Sequence, residues 1–126
     1  MIKRFAIALI LLGIMVPAFA LHEGDVIIGQ EVVLRIRFPA GGMTVQERTD
    51  AVTLRINELL GSKPFNPSDV KVGVRNKESV VLVGNNVIIT ADSATAKFNK
   101  MTPQQLAEMW AANLRRVIPK AKSDVG

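Results

Sequence analysis

Twice along this chain a pair of short β-branched runs, joined by a glycine-led turn, is followed after a loop by an amphipathic segment that opens on a capping box. In the first copy, Asp25-Val26-Ile27-Ile28 and Glu31-Val32-Val33-Leu34-Arg35-Ile36-Arg37 flank Gly29-Gln30. Glycine at the first central position suits the type II′ turn of a two-residue hairpin. Phe38-Pro39-Ala40-Gly41-Gly42 then breaks the strand. Thr44 followed by Glu47 is a capping box, and Val45, Val52, Ile56, Leu59 and Leu60 recur at helical spacing up to Gly61. In the second copy, Val80-Val81-Leu82-Val83 and Val87-Ile88-Ile89-Thr90-Ala91 flank Gly84-Asn85-Asn86. Asp92 is placed to cap a short turn through Lys97. Thr102, Pro103 and Gln105 then open a helix that Pro119 is expected to end. Its stripe is Leu106, Met109, Trp110, Leu114, Val117 and Ile118.

Between the copies Val70, Val72 and Val74 alternate with Lys71, Gly73 and Arg75, the period of a half-buried strand. The predicted order is therefore ββα–βββα. Short connections favour an α+β domain with one antiparallel sheet of about five strands, and helices 44–60 and 102–118 on one face of it. Pattern alone leaves open whether Val26–Leu60 and Val81–Ile118 are an internal repeat or two unrelated ββα units. Trp110 is expected in the core, since a large indole on an apolar stripe gains most from leaving water.

Residues 1–20 read as a cleavable secretory signal: Lys3 and Arg4, an apolar run from Phe5 to Val16, Pro17, then Ala18-Phe19-Ala20. The run is shorter than the roughly 20 residues a permanent membrane helix needs. The expected mature chain, residues 21–126, is a single small domain that does not span a membrane, periplasmic or extracellular. Without cysteine it forms no disulfide and must rely on packing. Removal of Lys3 and Arg4 lowers the formal charge from +5 to +3, too small a surplus to point to nucleic acid.

Chemistry is sparse. His22 is the one histidine and lies outside every predicted element, so neither a triad nor a metal centre is expected. The best candidates for an envelope enzyme are Glu47 with Asp50, three apart on the first helix, and Ser93 with Lys97 at i,i+4 spacing. Dipole interaction and capping account for all four. Gly41-Gly42 lacks the lysine and serine of a phosphate loop, and no cofactor is expected. Arg115, Arg116, Lys120 and Lys122 complement a helix C-terminus, with acidic lipid headgroups as the functional alternative.

The sheet face away from the helices offers more. Strict alternation places Val33, Arg35 and Arg37 on it, with Lys71 and Arg75 from the next strand and Val81, Val83 and Ile88 from the last two. An apolar centre with a basic flank is an expected docking surface for a protein partner or a second copy.

The second hairpin, Asp92-Ser93-Ala94 and Thr102-Pro103-Gln104-Gln105-Leu106-Ala107-Glu108-Met109-Trp110-Ala111 resemble the extracytoplasmic N-terminal region of some bacterial mechanosensitive channels of the small-conductance type. The first hairpin and Gln46-Glu47-Arg48 are similar to its first half, so the likeness covers most of residues 25–120. It does not extend to pore-forming helices. The resemblance implies a non-catalytic module working outside the cytoplasmic membrane, partnered by an envelope or membrane protein or by itself.

Overall fold

The computed structural model describes residues 23–61 and 64–125. The expected signal peptide and His22 lie outside the described residues. The elements are β1 (Asp25–Ile28), β2 (Glu31–Arg35), α1 (Val45–Gly61), a 3-10 turn (Pro67–Asp69), β3 (Val70–Arg75), β4 (Glu78–Val83), β5 (Asn86–Thr90), α2 (Ser93–Phe98) and α3 (Pro103–Val125).

Both capping boxes form. Thr44 Oγ1 accepts from the Glu47 amide at 3.1 Å, and Glu47 Oε1 accepts from the Thr44 amide at 2.9 Å. Thr102 and Gln105 repeat the pair at 3.1 and 2.9 Å. Asp92 Oδ2 caps α2 by accepting from the Thr95 amide at 2.8 Å. Gly29 has φ of 64° and leads the first turn, as the sequence requires.

The class is α+β, but the five strands do not form one sheet. β1 pairs with β2 alone, and β3-β4-β5 form a separate antiparallel sheet. The reason is α3, which packs against β3 and β4 and also against β2, while α1 packs against β1 and β5. The first hairpin thus closes on the helices instead of extending the sheet. The order is ββα–βββαα, with α2 as an element of its own. Nor does Pro119 end α3. It removes one backbone donor, yet the last turn is held by Lys122, whose Nζ donates to the Leu59 and Leu60 carbonyls at 3.2 and 3.1 Å.

Leu106, Ala107, Trp110, Ala111, Leu114, Val117 and Ile118 of α3 are all buried, and Trp110 is only 1% exposed. They meet Val26, Ile28, Val33, Leu34 and Ile36 from the first hairpin, Val52 and Ile56 from α1, and Val70, Val81, Val83, Ile88 and Ile89 from the larger sheet in one apolar cluster.

The two hairpins carry the same irregularity at the same place. In the first, Ile27 pairs with Val32 and Val26 with Leu34, leaving Val33 as the extra residue of a β-bulge. In the second, Leu82 pairs with Val87 and Val81 with Ile89, leaving Ile88. Beyond the bulges, the Ile36 amide donates to the Gly24 carbonyl at 2.8 Å and the Ala91 amide to the Ser79 carbonyl at 2.9 Å. The helices match as well: the buried positions Arg48, Thr49, Val52 and Ile56 of α1 correspond to Leu106, Ala107, Trp110 and Leu114 of α3. Each helix also reaches the other half. Arg55 Nη1 donates to the Ile88 carbonyl at 3.0 Å, and its counterpart Asn113 donates through Nδ2 to the Val33 carbonyl at 2.9 Å. The chain is two ββα units of one plan that contact each other reciprocally, with β3 and α2 added to the second.

The bulges correct the expected docking face. Alternation assigned Val33 and Ile88 to an outer surface, but a bulge turns two successive residues the same way. Val33 and Leu34, like Ile88 and Ile89, are therefore buried together. Register removes two more residues: Lys71 pairs with Leu82, so its face carries Leu82, whereas Val81 and Val83 lie with Val72 and Val70 in the core. Lys71 and Arg75 stay exposed on the larger sheet and Arg35 and Arg37 beside the smaller one, so the eight residues do not make one surface.

Candidate functional site

Arg35 and Arg37 follow the Val33 bulge and line a groove of about 210 Å³ between β2 and α3. Val33 and Trp110 line its apolar part, and Asn99, Met109 and Asn113 complete the helix side. The bulge builds this groove: by turning Val33 inward it leaves that residue's carbonyl to accept from Asn113.

The two arginines differ in what they already hold. Arg35 lies directly across from Asp25, and its Nε is 3.3 Å from Asp25 Oδ1. The Asp25 side chain is only 2% exposed, and its Oδ2 has no hydrogen-bond partner. A buried carboxylate with one contact is costly to leave unpaired, which ties Arg35 to its post. Arg37 forms no ion pair with any described carboxylate. Its guanidinium lies 4.6 Å from the centroid of the Phe98 ring, a cation–π distance.

Phe98 is 57% exposed, and its ring meets Phe38 edge-on with centroids 6.1 Å apart. It stands at the end of α2, where the chain reverses through a Schellman motif. The Met101 amide donates to the Ala96 carbonyl at 2.9 Å and the Lys100 amide to the Lys97 carbonyl at 3.0 Å. Lys100 takes the left-handed position with φ of 60°, where glycine is usual. This fixed corner holds an aromatic ring outward beside the groove.

A second ionic centre is sealed inside. Arg48 Nη1 donates to Asp92 Oδ1 and to the Phe38 carbonyl, both at 2.9 Å, and Nη2 donates to the Thr90 carbonyl at 2.9 Å. The Arg48 and Asp92 side chains are 6% and 7% exposed. The pair ties the start of α1 to the end of the second hairpin and is structural.

The envelope-enzyme candidates are not gathered. Glu47 is spent in its capping box, and Asp50 accepts from Gln46 Nε2 at 2.8 Å. Ser93 lines a hollow beside α2 that Lys97, Glu47 and Asp50 do not reach. Among the described residues no group of three or more histidine, aspartate or glutamate side chains could hold a metal ion. Most of the basic cluster on α3 is engaged within the fold. Arg115 donates to the Val70 carbonyl at 3.0 and 2.7 Å, Lys122 caps α1, and Arg116 lies 2.6 Å from Glu31. The hydrogen bond from Arg116 holds the Glu31 carboxyl below its ordinary range.

Of the groove's residues, Arg35 and Arg37 are legible in the sequence. Asn99 of the lining, and Phe98 against Arg37 at the groove's side, reach it only through the α2–α3 corner. The one signal for Phe98 is an aromatic residue placed off every apolar stripe.

Fold and groove together define a small α+β module with a recessed, basic and aromatic surface. A family model for a domain of unknown function, DUF8459, matches residues 25–121, and the chain belongs to that family. No curated protein and no solved structure matches it.

Proposed function

We propose that this chain is an exported, non-catalytic interaction module of the cell envelope that docks a protein partner through the groove between β2 and α3. The observation that carries the reading is the Phe98 ring, more than half exposed and in cation–π contact with Arg37 at the groove's edge. Aromatic and arginine side chains are the residues that most often anchor interfaces, and a rigid ring loses little freedom on binding. Export rests on the N-terminal charge, apolar run and small-residue site, and on the resemblance to the extracytoplasmic region of small-conductance-type channels. No helix among the described residues is long and apolar enough to cross a membrane, which accords with a peripheral module.

Photocrosslinking in the intact envelope tests this. A photoreactive phenylalanine analogue at position 98 is expected to give a discrete adduct. The same analogue at Val74, which is 64% exposed on β3, is the control and is expected to give none. An adduct of twice the chain's mass assigns the partner as a second copy. No adduct at 98, or equal adducts at both positions, refutes docking at the groove.

A further inference from the structure

The shared plan of the two halves gives the groove a counterpart within the same molecule, between α1 and β5. Matching the hairpins places Arg35 with Thr90 and Arg37 with Asp92, and matching the helices places Arg48 with Leu106 and Arg55 with Asn113. Between α1 and β5, Arg48 and Arg55 donate to the Thr90 and Ile88 carbonyls; Arg48 closes the strand-end part of this strip, and a hollow of about 460 Å³ lined by Arg55, Val87 and Ile88 stays open beyond it. The charge at the strand end, Asp92, is answered by Arg48. Between α3 and β2 the same strip has the shorter Asn113, which still reaches the Val33 carbonyl. In place of Arg48 it has Leu106, which is fully buried and brings no charge. The strand-end charge here is reversed, because Arg37 stands where Asp92 stands in the other half. No carboxylate among the described residues forms an ion pair with it.

We propose that the strand end at Arg37 takes from outside the ion-pair partner that its counterpart at Asp92 finds within: here, a carboxylate-bearing segment of a partner protein. An aspartate or glutamate side chain would pair with Arg37, and a neighbouring apolar residue would rest on Phe98 and Met109. This rests on the docking reading above and names its chemistry. Arg37 offers a planar fork that matches a carboxylate with two parallel hydrogen bonds. Its cation–π contact with the Phe98 ring, 4.6 Å to the centroid, holds it at the groove's edge in advance. A single carboxylate fits better than a phosphate, which recruits several cations. Arg35 is already committed to Asp25, so of the groove's two arginines Arg37 alone is without an ion pair to a described residue. Phe98 and Met109, 57% and 39% exposed, supply apolar area that a free carboxylate would leave in water.

Titration of the 15N-labelled protein with two capped tripeptides, Leu-Glu-Leu and Leu-Gln-Leu, tests the proposal by residue-resolved shifts. Acetate and inorganic phosphate serve as small-anion controls. The glutamate peptide is expected to move the Arg37, Phe98 and Asn113 signals and to bind at least roughly tenfold more tightly than the glutamine peptide, the difference one charged pair commonly makes. Arg37→Gln is expected to abolish that preference, and Arg37→Lys to restore part of it, since lysine keeps the charge without the fork. Three results overturn the proposal: equal binding of the two peptides, no shifts in the groove up to about 10 mM peptide, or acetate or phosphate binding as tightly as the glutamate peptide. The crosslink at position 98 separates the two ideas. If the adduct survives Arg37→Gln unchanged, docking at the groove stands and carboxylate recognition falls. If the glutamate peptide binds through Arg37 while no adduct forms in the envelope, the reverse holds.

Discussion

Arg48 lies on the apolar stripe of α1 between Val45 and Val52, where a charged residue has no place unless it is paired. Its spacing was open to view in the sequence. Its partner was not, because Asp92 is 44 residues away and meets it only once the second hairpin closes on α1. Removing one member of a buried ion pair strands the other without water or counter-charge. Arg48→Leu is therefore expected to cost about 3–5 kcal/mol in urea denaturation. Adding Asp92→Ser, which keeps a capping oxygen but removes the stranded charge, should recover part of the loss, because neighbours in one network are not additive. A cost for Arg48→Leu below about 1 kcal/mol would mean that the pair is solvated. Lys100 gives an effect of opposite sign. It closes the Schellman motif at φ of 60° with a side chain that is exposed. Lys100→Gly removes the Cβ that disfavours this conformation and is expected to stabilise the protein by about 0.5–1 kcal/mol.

At the scale of elements, periodicity and cap chemistry located the hairpins and both long helices, because those signals are local. Thr44 with Glu47 and Thr102 with Gln105 fixed the helix starts, and Asp92 the start of α2. What failed was decided by partners. Alternation along 31–37 cannot show that Val33 is an extra residue, since a bulge is defined by the strand opposite. Pro119 is a sound stop in isolation, but Lys122 and the half-buried Ala121 tie the turn after it to the rest of the fold. The docking surface was misplaced for the same reason, since its four valine and isoleucine members depended on register. α3 carries the test of this scale. Trp110 packs in the cluster joining both sheets, and Trp110→Ala is expected to cost about 3–5 kcal/mol of unfolding free energy. A loss under about 1 kcal/mol would place the indole on the surface, against the packing of the whole helix.

The molecule as a whole is two ββα halves that hold one another. The sequence showed their shared plan, but plan alone could not distinguish a repeat from coincidence. Matched bulges, matched bonds beyond them and reciprocal contacts between helix and hairpin make the distinction. Each helix donates to the bulge carbonyl of the other half, through Arg55 to Ile88 and through Asn113 to Val33. Both halves also share one apolar cluster. Neither hairpin can therefore open fully while the opposite helix stays docked, and the halves should unfold as one cooperative unit. Native-state hydrogen exchange reads this from the Ile36 and Ala91 amides, whose bonds to Gly24 and Ser79 are counterparts at 2.8 and 2.9 Å. Their opening free energies are expected to agree within about 1 kcal/mol, both near the global stability. Asn113→Ala removes a contact between halves and should lower the two values together, by about 1–2 kcal/mol, the cost of leaving a part-buried acceptor without its donor. If Ile36 opened several kcal/mol more easily than Ala91, or if Asn113→Ala lowered Ile36 alone, the first hairpin would be a separate folding unit. The correspondence between the halves would then be one of shape, without energetic coupling.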